Sequence, residues 1–269
     1  MGVVLLCSYD TLMLCCIAIK LLVNWSISLM KICVAQTRPM RGDIAGNLVA
    51  HARLIEMAAS RGAEMIVFPE LSLTGYEPKL ASELATDEND PRFDELQRLS
   101  ATRRITIGAG VPTNSDKLPC ISMVLFQANQ ERQTYSKQYL HADEEPFFSP
   151  GKKHDGLIAG QTKIALAICY ELSIPEHAEF AVRHGANVYI ASVAKTERGV
   201  ANAHERLAQI ATKHSLTVLM SNSIGPSGDG ECAGQSAVWS NRGSLLAQLD
   251  GEHEGVLIVD TETQAVILE

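Results

Sequence analysis

Positive charge is in short supply in this 269-residue sequence: 23 lysines and arginines face 31 aspartates and glutamates, a formal net charge of −8. Phosphate binding needs a basic face, so the balance argues against a nucleic-acid partner. Paired cysteine spacing is missing too. Cys7, Cys15, Cys16, Cys33, Cys120, Cys169 and Cys232 form no C-x-x-C pair. That rules out a zinc ribbon, and their odd number speaks against a disulfide framework. Reduced thiols, and with them a cytoplasmic location, are the expectation. Internal repeats, low-complexity tracts and any linker that would split residues 30–269 are absent as well.

The first thirty residues lack what their apolar character would need. Residues 3–23 are interrupted by Asp10 and Lys20. A spanning helix wants about 20 apolar residues, and a central charge costs roughly 2.5–3.5 kcal/mol. A signal peptide wants a basic start, yet no lysine or arginine precedes Lys20. The run MKICVAQ that begins at Met30 reads like a natural N-terminus opening into a strand. Residues 1–29 are therefore expected to be a leader from a mis-assigned start, with an anchor or targeting segment as the alternative. Residues 30–269 form one domain, and no membrane role is expected unless residues 1–29 are real.

From Met30 onward, short β-branched runs alternate with helical stretches, the pattern of an α/β layer fold. Strands are expected over residues 31–36, 63–70, 105–111, 120–127, 132–139, 162–171, 186–192 and 216–222, with two or three more over 235–249 and 255–268. Helices are expected over 45–61, 92–102, 176–184 and 199–214. Leu48, Leu54, Ile55 and Ala58 share one stripe of the first helix. The glycine-rich segment 224–234 reads as a turn, because a dinucleotide loop needs a strand–turn–helix context.

Three strand ends carry chemistry-bearing side chains, and strand ends are where α/β sheets collect functional groups. Glu70 ends MIVFP, Lys137 lies in a polar strand between Tyr135 and Tyr139, and Cys169 ends IALAI. Singly, each has an ordinary explanation: a solvated acid, a surface lysine, a buried inert thiol. His141, Asp143 and Glu144 are the nearest approach to a metal site, but no second cluster completes it, so neither metal nor cofactor is expected. His204 and His214 lie ten apart and share no helical face at i, i+4 spacing. A Cys169–His177 dyad is conceivable, although both belong to one short segment with no evident third group.

Taken together, FPELSLTGY (68–76), YSKQYLH (135–141) and ICYELSIPEH (168–177) resemble, in order, the three signature segments of the nitrilase superfamily of carbon–nitrogen hydrolases. MKICVAQ, SNSIG (221–225) and GQSAVWSNRGSLLAQL (234–249) extend the resemblance over essentially all of 30–269. It implies a four-layer α-β-β-α sandwich, a single domain, and a Glu–Lys–Cys triad. By position, Glu70 would be the general base, Lys137 the cationic stabiliser and Cys169 the nucleophile. Chemistry agrees: a thiol is only a few per cent ionised at neutral pH, so a neighbouring base must take its proton. The Tyr170 backbone N–H would help Lys137 stabilise an oxyanion. A second glutamate of the family would be Glu144, which fits the spacing better than Glu145, holding Lys137 charged and positioning substrate.

Tyr170 after the cysteine leans toward amide or ureido hydrolysis, while Glu171 leaves the branch open. The expected reaction is hydrolysis of a small linear amide through a cysteine thioester, releasing ammonia or an amine. A nitrilase or N-carbamoyl-amide hydrolase is the alternative within the enzyme class, and a non-catalytic binding relative lies outside it. The small-molecule amide is the expected partner, and the resemblance also implies a homo-oligomer, dimer or higher.

Overall fold

Strand β1, Lys31–Gln36, shows how the layers arise. Successive side chains point to opposite faces of a strand, so Ile32 and Val34 join one buried cluster while Cys33 and Ala35 join another. The same division repeats along the chain. The computed structural model describes residues 30–152, 157–158, 162–228 and 230–269. Residues 1–29, with the start-site and anchor expectations placed on them, lie outside the described residues.

The first sheet contains β1, β2 (Met65–Val67), β3 (Thr106–Thr113), β4 (Cys120–Phe126) and β5 (Gln133–Ser136). The second contains β6 (Leu157–Ile158), β7 (Ile164–Ile168), β8 (Val188–Val193) and β9 (Thr217–Asn222). A separate hairpin follows, β10 (Ile224–Ser227) with β11 (Gly230–Ala233), and then β12 (Ala237–Trp239), β13 (Leu245–Gln248), β14 (Gly255–Asp260) and β15 (Val266–Leu268). Their orders are β15-β14-β1-β2-β3-β4-β5 and β13-β12-β9-β8-β7-β6. Each sheet has a parallel centre, β1-β2-β3 in one and β7-β8-β9 in the other, with antiparallel strands outside it.

Helices α1 (Ile44–Ser60) and α2 (Asp94–Arg103) cover the first sheet, and α3 (Pro175–Arg183) and α4 (Glu197–His214) cover the second. Three apolar clusters separate the four layers, so the fold is the expected α-β-β-α sandwich in one domain. The middle cluster joins Val34, Val67 and Leu257 of one sheet to Leu166, Ile190 and Leu219 of the other. Hydroxyls bolt the sheets together: Ser192 donates to the Phe68 carbonyl at 2.8 Å, and Ser221 to that of Ala35 at 2.6 Å.

The elements differ from expectation at informative places. Ile224–Ser227 and Gly230–Ala233 pair as the hairpin β10–β11 where a turn was expected, with Ile224 opposite Ala233. The strand expected over 132–139 stops at Ser136, and that over 162–171 stops at Ile168. In both cases the candidate residue begins the departure from the sheet. Strand β6 and a short helix over Ala81–Leu84 have no counterpart in the sequence reading. Among the described residues no helix is long and apolar enough to cross a membrane.

Candidate active site

Pro69 ends the ladder of β2, and the chain turns at Leu71, whose φ is +52°. The turn lies flush on β3: a Cβ on Gly110 would stand 2.4 Å from the Leu71 nitrogen and 2.6 Å from the Pro69 carbonyl. Only glycine leaves room for the Glu70 segment there. Lys137 follows β5 and donates its N–H to the Ile121 carbonyl at 2.8 Å, while Gly151 donates to the Lys137 carbonyl at 2.7 Å. Cys169 opens a 3-10 helix, Cys169–Ser173, with φ of +45°. A non-glycine residue held left-handed costs of order 1–3 kcal/mol and persists only where its surroundings impose it.

These turns bring together residues far apart in the sequence, Glu70 and Lys137 being 67 positions apart. The Lys137 ammonium donates to Glu70 Oε1 at 2.8 Å and to Glu144 Oε1 at 2.6 Å, with all three side chains shut from solvent. Glu145 is exposed, whereas Glu144 is buried against Lys137. Glu144 also accepts from the Tyr76 hydroxyl at 3.1 Å and, through Oε2, from the His141 N–H at 2.7 Å. Among the described residues Glu70 Oε2 is buried without a hydrogen-bond partner, and the Cys169 thiol is among the groups acting on this carboxyl.

Burial sets the proton affinities. It raises that of Glu70, against the pull of Lys137 and with help from Glu144. Burial, with Glu70 adding to it, pushes the Cys169 thiol up to about 11. Burial alone would lower Lys137, but Glu70, Cys169 and Glu144 outweigh it and hold the ammonium above the ordinary lysine range. The cluster therefore holds a charged Lys137 ammonium between Glu70 and Glu144, beside a thiol that keeps its proton at neutral pH.

A cavity of about 830 Å³ opens above this cluster, within the range of small-molecule sites. Tyr76, Glu144, Cys169, Tyr170, Lys195 and Arg198 are on its walls. Glu70 and Lys137 lie behind the thiol. Tyr170 is the second residue of the 3-10 helix, in the first turn, where N–H groups have no partner within the helix.

A second buried carboxylate ties the segments together. Glu171 Oε1 accepts from the Gln138 N–H at 2.6 Å; Oε2 accepts from the Ile168 N–H at 2.8 Å and the Tyr135 hydroxyl at 2.7 Å. It thus grips the backbone beside Lys137 and beside Cys169 at once. His177 stands on this network rather than on Cys169, with Nε2 and Nδ1 each 3.0 Å from a hydroxyl, Tyr135 and Tyr189 respectively. Burial lowers its pKa to about 4. The sequence reading passed over Tyr76 and Lys195 and read Glu171 only as a branch marker. For Tyr135 a signal existed, because alternation in a strand puts it on the same face as residue 137.

The family model for carbon–nitrogen hydrolases matches residues 31–267. A 2-oxoglutaramate amidase of Bacillus subtilis (strain 168) is 25% identical over 249 residues, spanning 90% of this chain and 92% of the relative. A hydrolase in the agr operon of Staphylococcus aureus is 24% identical over 250 residues, spanning 88% and 93%. Among solved structures, a cysteine-to-serine mutant of the Nesterenkonia AN1 amidase from the nitrilase superfamily superposes with a TM-score of 0.79 at 24% identity. The alignment covers 90% of this chain and 95% of that one.

Proposed function

The chain belongs to the carbon–nitrogen hydrolase family, and from that premise we propose that Cys169 attacks the carbonyl of a small linear amide, with Glu70 moving the protons and Lys137 stabilising the charge. Relatives named as amidases support amide C–N hydrolysis in general. The observation that carries the finer reading is the buried Glu70–Lys137–Glu144 cluster directly behind the cavity-lining Cys169.

Glu70 Oε2, which has no partner at rest, takes the thiol proton as Sγ bonds to the amide carbon. Negative charge moves from the carboxylate to sulfur and on to the former carbonyl oxygen. Two of the three Lys137 N–H donors are engaged by Glu70 and Glu144, which leaves the third for this oxyanion, together with the Tyr170 N–H. Collapse breaks the C–N bond, and the Glu70 carboxylic acid protonates the departing nitrogen, leaving a thioester. Glu70 then removes a proton from water, whose oxygen attacks the thioester carbon. Expulsion of the thiolate yields the carboxylic acid, and sulfur regains its proton. Glu144 keeps Lys137 oriented. The resemblance also supports a homo-oligomer, which sedimentation velocity reads directly.

An ammonia-release screen of small amides, nitriles and N-carbamoyl compounds, 2-oxoglutaramate among them, tests the reading. Turnover of amides, its loss in Cys169→Ala with the circular-dichroism spectrum unchanged, and an acyl adduct on the Cys169 peptide of quenched protein are the expected results. Full activity in Cys169→Ala, or an adduct on another residue, overturns the assignment of the nucleophile.

A further inference from the structure

The charges around the cavity are not evenly satisfied. Its acidic residues are all engaged: Glu77 pairs with Arg41 at 3.1 Å, Asp143 contacts His141 at 2.5 Å, and Glu144 is held by Lys137 at 2.6 Å. Lys195 and Arg198 line the same cavity, and among the described residues neither side chain has an ion-pair or hydrogen-bond partner.

Lys195 is also held in place. Its N–H donates to Asn222 Oδ1 at 2.8 Å, and its carbonyl accepts from Asn222 Nδ2 at 3.1 Å and from the Ala233 N–H at 3.0 Å. Asn222 is fully buried, and its side chain makes a third bond, to the Gly234 carbonyl at 2.7 Å. This clamp, part of it supplied by the β10–β11 hairpin, fixes where the half-buried lysine stem enters the cavity. Its ammonium is near enough to Cys169 to draw down the proton affinity of the thiol. Arg198 sits one turn on, at the start of α4, whose exposed first-turn N–H groups face the same way in charge. Two cations without a partner among the described residues, one of them on a clamped segment, on the wall of a site for amides call for an anionic group on the substrate.

Resting on the proposed function, we propose that Lys195 and Arg198 form a carboxylate-binding subsite, so that the preferred substrates are monoamides of small dicarboxylic acids. The carboxylate is held at the Lys195–Arg198 wall while the amide end meets Cys169. Monoanionic ω-amides are then selected over neutral amides of equal length, and the selection weakens as salt screens the cations.

The test compares kcat/KM for succinamate and glutaramate with that for butyramide and valeramide, in wild type and in the variants Lys195→Met and Arg198→Gln. The wild-type ratio of charged to neutral substrate is expected to be on the order of tenfold or more, as charge-assisted bonds give. Lys195→Met should collapse that ratio mainly through KM of the charged substrate, and the exposed Arg198→Gln, which puts no buried contact at risk, should lower it by less. Lys195→Glu should turn the preference toward 4-aminobutanamide. Neutral amides hydrolysed as well as the charged ones by wild type, or a ratio unmoved by both variants, overturns the subsite and leaves the proposed function standing. Failure to hydrolyse any amide overturns both.

Discussion

Two carboxylates lie within the same few layers of this protein, equally buried and differently employed. Glu70 shares one oxygen with Lys137 and leaves the other without a hydrogen bond. Both oxygens of Glu171 are engaged, by two backbone N–H groups and a tyrosine hydroxyl. Burial raises the proton affinity of each, and at Glu171 the three donors work against it. The difference teaches that proton transfer needs an oxygen left free, whereas a carboxylate bound at every position serves as a joint. Glu171 accordingly links the backbone flanking Lys137 to the backbone flanking Cys169, and Glu70 faces the thiol.

The comparison breaks most sharply at Glu70. Glu70→Gln keeps the shape but removes the base, and kcat is expected to fall by about 10²–10⁴-fold with little change in KM, read by ammonia release. An active Glu70→Gln enzyme would mean that the free oxygen is incidental. Glu171→Gln turns an amide NH2 toward donors that require acceptors. Stability should drop by about 2 kcal/mol in denaturant unfolding, with kcat lowered on the order of tenfold through misplacement of Cys169. A positioning role also predicts slower alkylation of Cys169 by iodoacetamide; loss of stability alone would reduce Glu171 to a packing element.

A milder change follows from the histidine on that network. Burial depresses His177 from 6.5 to about 4, so the unfolded chain binds its proton first. The stability present above pH 6.5 is therefore lost as pH falls toward 4, at up to about 1.4 kcal/mol per unit. His51, likewise lowered to about 4 by burial, adds a loss of the same sign. His177→Gln should flatten part of this slope in urea titrations at stepped pH, and an unchanged slope would show that His177 does not carry it. The smallest effect is expected from Tyr76→Phe, which deletes one bond to Glu144 while Lys137 and the His141 N–H remain. Turnover should fall only a few-fold, since a single hydrogen bond contributes about 1 kcal/mol; a loss as large as that of Glu70→Gln would place Tyr76 on the reacting atoms.

Much of this organisation was readable in the chain. KICVAQ was expected to be the first strand, and β1 is that strand. The segments bearing Glu70, Lys137 and Cys169 were found by their motifs, and Glu144 by its place in the loop. What misled was continuity. The strands expected over 132–139 and 162–171 continue through Lys137 and Cys169, but both residues lie beyond the last ladder pairing, where the backbone bends to present them. The segment 224–234 looked like a turn because glycines dominate it, yet its ends pair as β10 and β11. Lys195 escaped notice because a lysine between a strand and a helix is usually a solvated one. Its clamp, Asn222, lies 27 residues downstream.

Composition, alternation and the three motifs were enough to determine the layer fold, the family and the residues on which the proposed chemistry turns, because each is written in local order and spacing. The tertiary structure alone decided which glutamate has a free oxygen and which is saturated, that His177 belongs to Glu171 rather than to Cys169, and that Lys195 lines the cavity with no partner among the described residues. Those outcomes depend on burial and on hydrogen-bond partners up to 67 residues away, and a carboxylate or an ammonium takes its proton affinity from such neighbours rather than from its own side chain.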